Sequence, residues 1–207
     1  MKLLGMLLEF LFPSRNAERI VRDATLESVG ALVSAREHHE GLVSLLPYHR
    51  PLARSLIIEA KFRDSEKAHQ LLGTILADYL REWIADRAAL NPSRIVIVPV
   101  PLSRERRKER GYNQSERITR EAERFLRDTT MDTTILQRWR DTLPQTSLNG
   151  DARRRNLTDA FIAQATDPSH TYIVIDDVMT TGSTLSSAIG ALKQTGARNV
   201  YGVSLAH

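Results

Sequence analysis

Cysteine is missing altogether from this chain of 207 residues, which excludes disulfides, thiolate zinc sites and cysteine nucleophiles. Aromatic residues make up only 6% and leave little material for a base-stacking platform. No apolar run approaches the roughly 20 residues that a membrane-spanning helix needs. Residues 1–12 are apolar enough to raise a targeting question, but Lys2 and Glu9 interrupt them, and Phe12-Pro13-Ser14-Arg15 is wrong for a cleavage site. A short helix docking its apolar face on the domain is expected there, a weak membrane-surface or partner contact being the alternative, with no membrane span and a cytoplasmic address. The excess of one charge over the other is small as well. The 29 Lys and Arg against 25 Asp and Glu give +4, which neither demands nor excludes a nucleic-acid partner. The six histidines do not fall in metal-ligand spacing, and His38-His39 reads as a solvated pair. What remains is ordinary for a globular protein, with 42% hydrophobic and 26% charged residues. The length suits one ample domain with a small appendage.

The most informative stretch is residues 172–184, Tyr-Ile-Val-Ile-Asp-Asp-Val-Met-Thr-Thr-Gly-Ser-Thr. Ile173, Val174 and Ile175 suit a strand buried on both faces. Asp176 and Asp177 then stand at its carboxyl end, where open α/β sheets bind ligands. Thr180, Thr181, Gly182, Ser183 and Thr184 can turn sharply and present N–H groups and hydroxyls. They lead into a helix over residues 185–194, whose N-terminus favours anions. Acids for sugar hydroxyls beside a loop for a phosphate suggest a phosphorylated sugar. The plainer alternative is an ordinary strand exit with Ser183 or Thr184 capping the helix.

Elsewhere the pattern is that of an α/β fold. Residues 14–47 are weakly patterned apart from a strand expected at 41–46. Residues 52–61 show near-helical spacing, and 65–90 form a long amphipathic helix. Its inward face is Ala68, Leu71, Leu72, Ile75, Leu76, Tyr79, Leu80, Trp83 and Ile84. Residues 94–100 form a strand that ends at Val100-Pro101, because proline lacks a ladder donor. A helix over 113–128 and short strands at 134–137 and 160–163 follow. The tail, 172–175, 185–194 and 199–205, is a complete βαβ unit, and such crossovers place helices on both faces of a parallel sheet.

The second strand exit is basic. Arg104, Arg106, Arg107, Lys108 and Arg110 lie within seven positions, between a strand end and a helix start. A mobile basic loop over an anionic ligand is one reading; a solvated charge run or a phosphate-backbone contact is the other.

Residues 172–184 resemble the phosphoribosyl pyrophosphate motif of type I phosphoribosyltransferases. That resemblance assigns Asp176 and Asp177 to the ribose 2′- and 3′-hydroxyls. It assigns the loop Val178, Met179, Thr180, Thr181, Gly182, Ser183 and Thr184 to the 5′-phosphate. A narrower resemblance rests on separated motifs. These are Glu59-Ala60-Lys61-Phe62-Arg63, Pro99-Val100-Pro101-Leu102, Arg110-Gly111-Tyr112-Asn113-Gln114-Ser115, Gln145-Thr146-Ser147-Leu148, Arg153, Asn156-Leu157 and Ala160-Phe161. Over about residues 47–207 their spacing is similar to the ComF family, which carries a phosphoribosyltransferase-type domain and is linked to DNA uptake. The chain departs from the family at its front: Leu11-Phe12-Pro13 is kept, but the four-cysteine zinc finger that should follow is not there.

The resemblance implies a type I phosphoribosyltransferase-like parallel sheet flanked by helices over 51–207, and an appendage over 1–50 lacking zinc. It implies Mg²⁺ held through the ligand, and through Asp176 and Asp177. The pyrophosphate contacts it implies are Val100, Pro101, Lys61, Arg104, Arg110, Asn113 and Arg153. With the chain stopping at His207, any hood over an acceptor base is expected from residues 1–50. Three functions follow as expectations: a Mg²⁺-dependent phosphoribosyltransferase, an accessory protein of DNA uptake, or a phosphoribosyl pyrophosphate sensor without turnover. The accessory protein would bind single-stranded DNA or DNA-uptake and recombination proteins.

Overall fold

The structure is a computed structural model that describes residues 14–38, 41–88, 93–139 and 160–207. In chain order it begins with α1 (Ser14–Asp23), α2 (Leu26–Gly30), β1 (Arg36–Glu37), β2 (Leu42–Leu46), α3 (Pro51–Phe62) and α4 (Glu66–Ala88). It continues with β3 (Ile95–Pro99), α5 (Arg104–Arg110), α6 (Gln114–Glu123), β4 (Thr129–Met131), β5 (Leu136–Arg138) and β6 (Phe161–Ala163). The tail is β7 (Thr171–Val178), α7 (Ser183–Gln194) and β8 (Asn199–Ala206). Among the described residues six strands form one sheet, in the order β1-β2-β8-β7-β3-β4. Only the β1–β2 pairing is antiparallel in it. Strands β5 and β6 pair separately, antiparallel to each other. This is the expected α/β class, with a mostly parallel sheet.

Side-chain alternation in the central strands sets the layering. Ile95 and Ile97 in β3, with Ile173 and Ile175 in β7, enter one core; Val96, Val98, Tyr172 and Val174 enter the other. Because successive residues of a strand face opposite sides, both faces of this continuous apolar run are buried. The first core takes Leu72, Ile75, Leu76 and Leu80 from α4, together with Leu56 and Ile57 from α3. Ala68 is buried with them, while Leu71, Tyr79, Trp83 and Ile84 pack more loosely at its margin. The second core is closed by Leu185, Ala188, Ile189 and Leu192 of α7, and by Leu136 and Phe161 of the β5–β6 pair. Each fully buried leucine contributes about 1.5–3 kcal/mol relative to exposure.

Several elements differ from the sequence reading. Residues 14–47 hold two helices, and α2 opens with a capping box between Thr25 and Ser28. Val21, Val29, Leu45 and Leu46 join the first core and Leu42 the second, while β2 lies inside the main sheet against β8. The basic stretch expected as a mobile loop is helix α5. The Ser103 hydroxyl accepts from the Arg106 N–H at its start, and Gly111 closes it at φ +79°, a conformation open to glycine. Helix α6 ends at Glu123 rather than reaching 128, with Asn113 as its N-cap. Pro99 does lie within β3, opposite Ile175. On its other side the β4 pairing has already stopped at Ile97–Met131, so no ladder bond is lost.

Candidate functional site

Strand β7 runs three residues past Ile175 and carries both acids inside its paired end. Asp176 lies opposite Ser204 and Val178 opposite Ala206 of β8. Both carboxylates are buried, at 8% and 5% exposure, so each needs partners. An oxygen of Asp176 accepts the Asp177 N–H at 3.0 Å. One oxygen of Asp177 accepts the Val178 N–H at 2.9 Å. The other accepts from Lys61 Nζ at 2.9 Å and from Gln114 Nε2 at 2.9 Å. Lys61 is in the last turn of α3 and Gln114 opens α6, so two helices converge on one carboxylate oxygen.

The two acids therefore differ electrostatically. Burial, then the charge of Asp177, pushes Asp176 up from its ordinary value to about 7. Burial acts on Asp177 too. There the Lys61 charge and hydrogen bond, the Gln114 amide and the Val178 N–H prevail, and they hold it below the ordinary carboxylate value. The sign for stability follows from Asp176. Between its unfolded value of 3.8 and about 7 the folded chain keeps a proton that the unfolded chain has released. Asp176 therefore lowers stability as pH rises through that window. Asp176→Asn keeps an acceptor for the Asp177 N–H and removes the titration. Its expected gain is on the order of 2 kcal/mol at pH 8 and near zero at pH 4. Calorimetric melting of both proteins across that range checks this; a constant difference between them would contradict it.

Past Val178 the chain makes a tight passage. The Met179 N–H donates to the Ala206 carbonyl at 2.9 Å, while Thr180 and Thr181 are exposed. Gly182 is the N-cap of α7 at φ +75°, and no side chain caps the helix. The plainer alternative, Ser183 or Thr184 as the cap, is thus not the observed arrangement. The Thr181 and Ser183 hydroxyls instead lie 2.7 Å apart. A helix N-terminus without a side-chain cap presents its first N–H groups outward, with the positive end of the helix dipole behind them. A β-carbon at Gly182 would meet Leu42 Cδ1 at 2.9 Å and Met179 Sδ at 3.4 Å. Strand β2 therefore buttresses the loop from below.

The basic exit contributes one group directly. Arg110 Nη1 donates to Gln114 Oε1 at 3.1 Å, giving a relay Arg110–Gln114–Asp177–Lys61. Burial pushes the Arg110 guanidinium down, against the pull of Asp177. Its guanidinium carbon also lies 5.3 Å from the centre of the Phe62 ring. Arg104, Arg107 and Lys108 are exposed on α5. Asn113 is buried, and both ends of its amide serve the backbone: Nδ2 donates to the Val100 carbonyl and Oδ1 accepts the Ser115 N–H. It ties the β3 exit to the α6 start. Val100 donates its N–H to the Ile175 carbonyl at 2.8 Å, which brings Val100-Pro101 alongside the acids. Arg153, Leu11-Phe12-Pro13 and the motifs at 145–148 and 156–157 lie outside the described residues.

Gln114 and Leu42 were absent from the sequence reading of the site. Gln114 stands inside the quoted 110–115 motif, and its place in the first turn of α6 was the available signal. Leu42 gave none, because it approaches Gly182 from a strand far away in sequence. Among the described residues no group of three or more His, Asp or Glu is placed to hold a metal by itself, and no helix is long and apolar enough to cross a membrane.

The chain is similar to DNA utilization protein YhgH of Escherichia coli O157:H7. The two are 35% identical over 160 residues, which is 77% of this chain and 68% of that protein. Competence protein F of Haemophilus influenzae is 32% identical over 154 residues, 73% of this chain and 57% of that protein. No protein-family model matches. A solved structure, adenine phosphoribosyltransferase of Leishmania tarentolae, aligns at a TM-score of 0.42 with 12% identity, over 84% of this chain and 94% of that one.

Proposed function

The chain belongs to the ComF-like family of competence proteins, and we propose that its β7–α7 exit binds phosphoribosyl pyrophosphate, or a related phosphoribosyl ligand, with Mg²⁺. The observation that carries this reading is the pairing of an uncapped α7 N-terminus at Gly182 with a buried, inequivalent acid doublet. The loop N–H groups and the hydroxyls of Thr180, Thr181, Ser183 and Thr184 hold the 5′-phosphate. Asp176 and Asp177 accept from ribose hydroxyls. Arg110 and Lys61 face the pyrophosphate, with Arg104 as a further cation on α5; the resemblance adds Arg153.

A hard dication fits this donor set. Asp176 is a buried carboxyl that burial and the neighbouring Asp177 charge push up to about 7, and an added cation would offset both. Few protein carboxylates plus phosphate oxygens are the usual Mg²⁺ environment. Asp176, Asp177 and the ligand would hold Mg²⁺ there, and it would supply positive charge against the pyrophosphate. The chain's own part is to fix the ribose, hold the phosphate and, through Arg110 and Lys61, stabilise negative charge on the leaving group. The transfer this arrangement suits forms a bond from an acceptor nitrogen lone pair to C1′. The C1′–oxygen bond breaks, pyrophosphate leaves with the bonding pair, and the acceptor nitrogen gives up its proton. The names of the relatives, DNA utilization protein and competence protein, support single-stranded DNA or DNA-uptake and recombination proteins as the partners in this reading.

Calorimetric titration with phosphoribosyl pyrophosphate, with and without Mg²⁺, tests the reading. Saturable binding tightened by Mg²⁺ is expected, together with proton release near pH 7 as Asp176 ionises. No heat under either condition would end it.

A further inference from the structure

Helix α3 brings Lys61 to Asp177 from its last turn, and the way that turn ends decides where the ammonium stands. The last carbonyls of a helix have no partner within it. The Glu59 carbonyl accepts the Arg63 and Ser65 N–H groups, each at 3.2 Å. The next bond of the ladder would run from the Asp64 N–H to the Ala60 carbonyl. The Tyr112 hydroxyl stands between them instead: it accepts the Asp64 N–H at 2.9 Å and donates to the Ala60 carbonyl at 2.9 Å. A hydroxyl can do both at once. Burial pushes this phenol up, so it keeps the proton that it donates. Asp64 lies at φ +51°, a left-handed conformation that Asp tolerates better than most residues. Its carboxylate is held as well, by Arg117 Nη2 at 2.9 Å from Oδ2 and by His69 Nε2 at 3.1 Å from Oδ1.

Tyr112 opens a run of three side chains that act on one place. Asn113 ties the β3 exit to the α6 start. Gln114 donates to Asp177 Oδ2, the oxygen that Lys61 also reaches, each at 2.9 Å. Tyr112 fastens the end of α3 to the same segment by bonding the carbonyl immediately before Lys61. We infer that Tyr112 is a positioning residue, whose hydroxyl fixes the last turn of α3 against residues 112–114 so that the Lys61 ammonium and the Gln114 amide meet on one oxygen of Asp177. A site needs such supporting contacts because a long side chain such as lysine otherwise spreads over many rotamers. The consequence for the ligand rests on the phosphoribosyl reading given above; the setting of Lys61 on Asp177 stands without it.

The test follows the Asp177 carboxyl by carboxyl-carbon NMR in the ligand-free full chain, with Asp177→Asn to assign the resonance. Tyr112→Phe removes the hydroxyl and keeps the ring, with its contacts to His69 and Arg117. The Asp177 titration is expected to move to higher pH in Tyr112→Phe, because Lys61 is the first group working against burial there. In a Lys61→Met background the same substitution should move it no further, since the group that Tyr112 positions is gone. A second arm reads phosphoribosyl pyrophosphate affinity with Mg²⁺. It is expected to fall roughly 10-fold in Tyr112→Phe, with no additional loss once Lys61→Met is present. An unmoved titration in Tyr112→Phe, or an equal effect with and without Lys61 in either arm, overturns the inference and leaves the hydroxyl a structural contact. A wild-type chain that binds no phosphoribosyl pyrophosphate would end the ligand reading, and the titration would still decide what sets Lys61 on Asp177.

Discussion

Lys61→Met is expected to destabilise the ligand-free protein by about 2–3 kcal/mol at pH 8, a fall in Tm of roughly 4–12 °C for a chain of this size. Lys61 is the cation paired with Asp177, at 2.9 Å, and its side chain is 25% exposed against 7% for the acid. Removing one member of a buried pair leaves the other charged and unpaired, which costs about 3–5 kcal/mol when both are fully buried. The partial exposure of Lys61 places the expectation below that range. Methionine fills most of the same volume, so lost packing is a minor part of the effect.

The pH dependence separates this account from a packing defect. In the wild type Asp177 is held below its ordinary value, with Lys61 the first group working against burial. Its contribution is therefore present above the unfolded value and lost as pH falls. Without Lys61, burial prevails and Asp177 joins Asp176 among the raised carboxyls, whose contribution declines as pH rises. The deficit of Lys61→Met should thus shrink on going from pH 8 to pH 5, where a proton replaces the lost cation. Lys61→Arg, which keeps the charge, should lose less. A deficit independent of pH, or one that grows in acid, would show that Lys61 acts by packing alone.

The same pair illustrates what local sequence conveys. The β7 strand, its acids, the following turn and α7 were legible because each is specified within a few residues: a β-branched run, two carboxylates, small hydroxyl residues and a glycine. The inward face of α4 was legible for a similar reason, since a 3.6-residue period over many turns leaves little choice. Helix α5 was not. Arg104-Glu-Arg-Arg-Lys-Glu-Arg110 has no apolar stripe and buries nothing, so periodicity was silent. Its caps, Ser103 and Gly111, carry the signal instead. Residues 14–47 lack a sustained period because α1 and α2 are short and commit only Val21 and Val29 to the first core, with Ala24 joining from the turn between them. The Gln114–Asp177 and Leu42–Gly182 contacts join positions 63 residues apart and further. Neither partner's identity implies the other, so only the sheet order brings them together.

Gly182→Val is expected to abolish phosphoribosyl binding with a loss on the order of 100-fold or more, since several charge-assisted N–H contacts would fail together. Two separate effects combine. The backbone sits at φ +75°, where a β-branched residue is strongly disfavoured at about 1–3 kcal/mol. The added Cβ would also fall 2.9 Å from Leu42 Cδ1, a core side chain of β2 with 5% exposure. Relief of either strain moves the N-terminus of α7 away from the acids. A double-mutant cycle with Leu42→Ala distinguishes the two. Opening space beneath the loop should return part of the stability lost in Gly182→Val and little of the affinity, because the backbone conformation stays wrong. Full recovery of affinity in the double variant would mean that contact with Leu42, and not the left-handed turn, controls the cradle. An unaltered titration in the single variant would mean that this turn holds no phosphate at all.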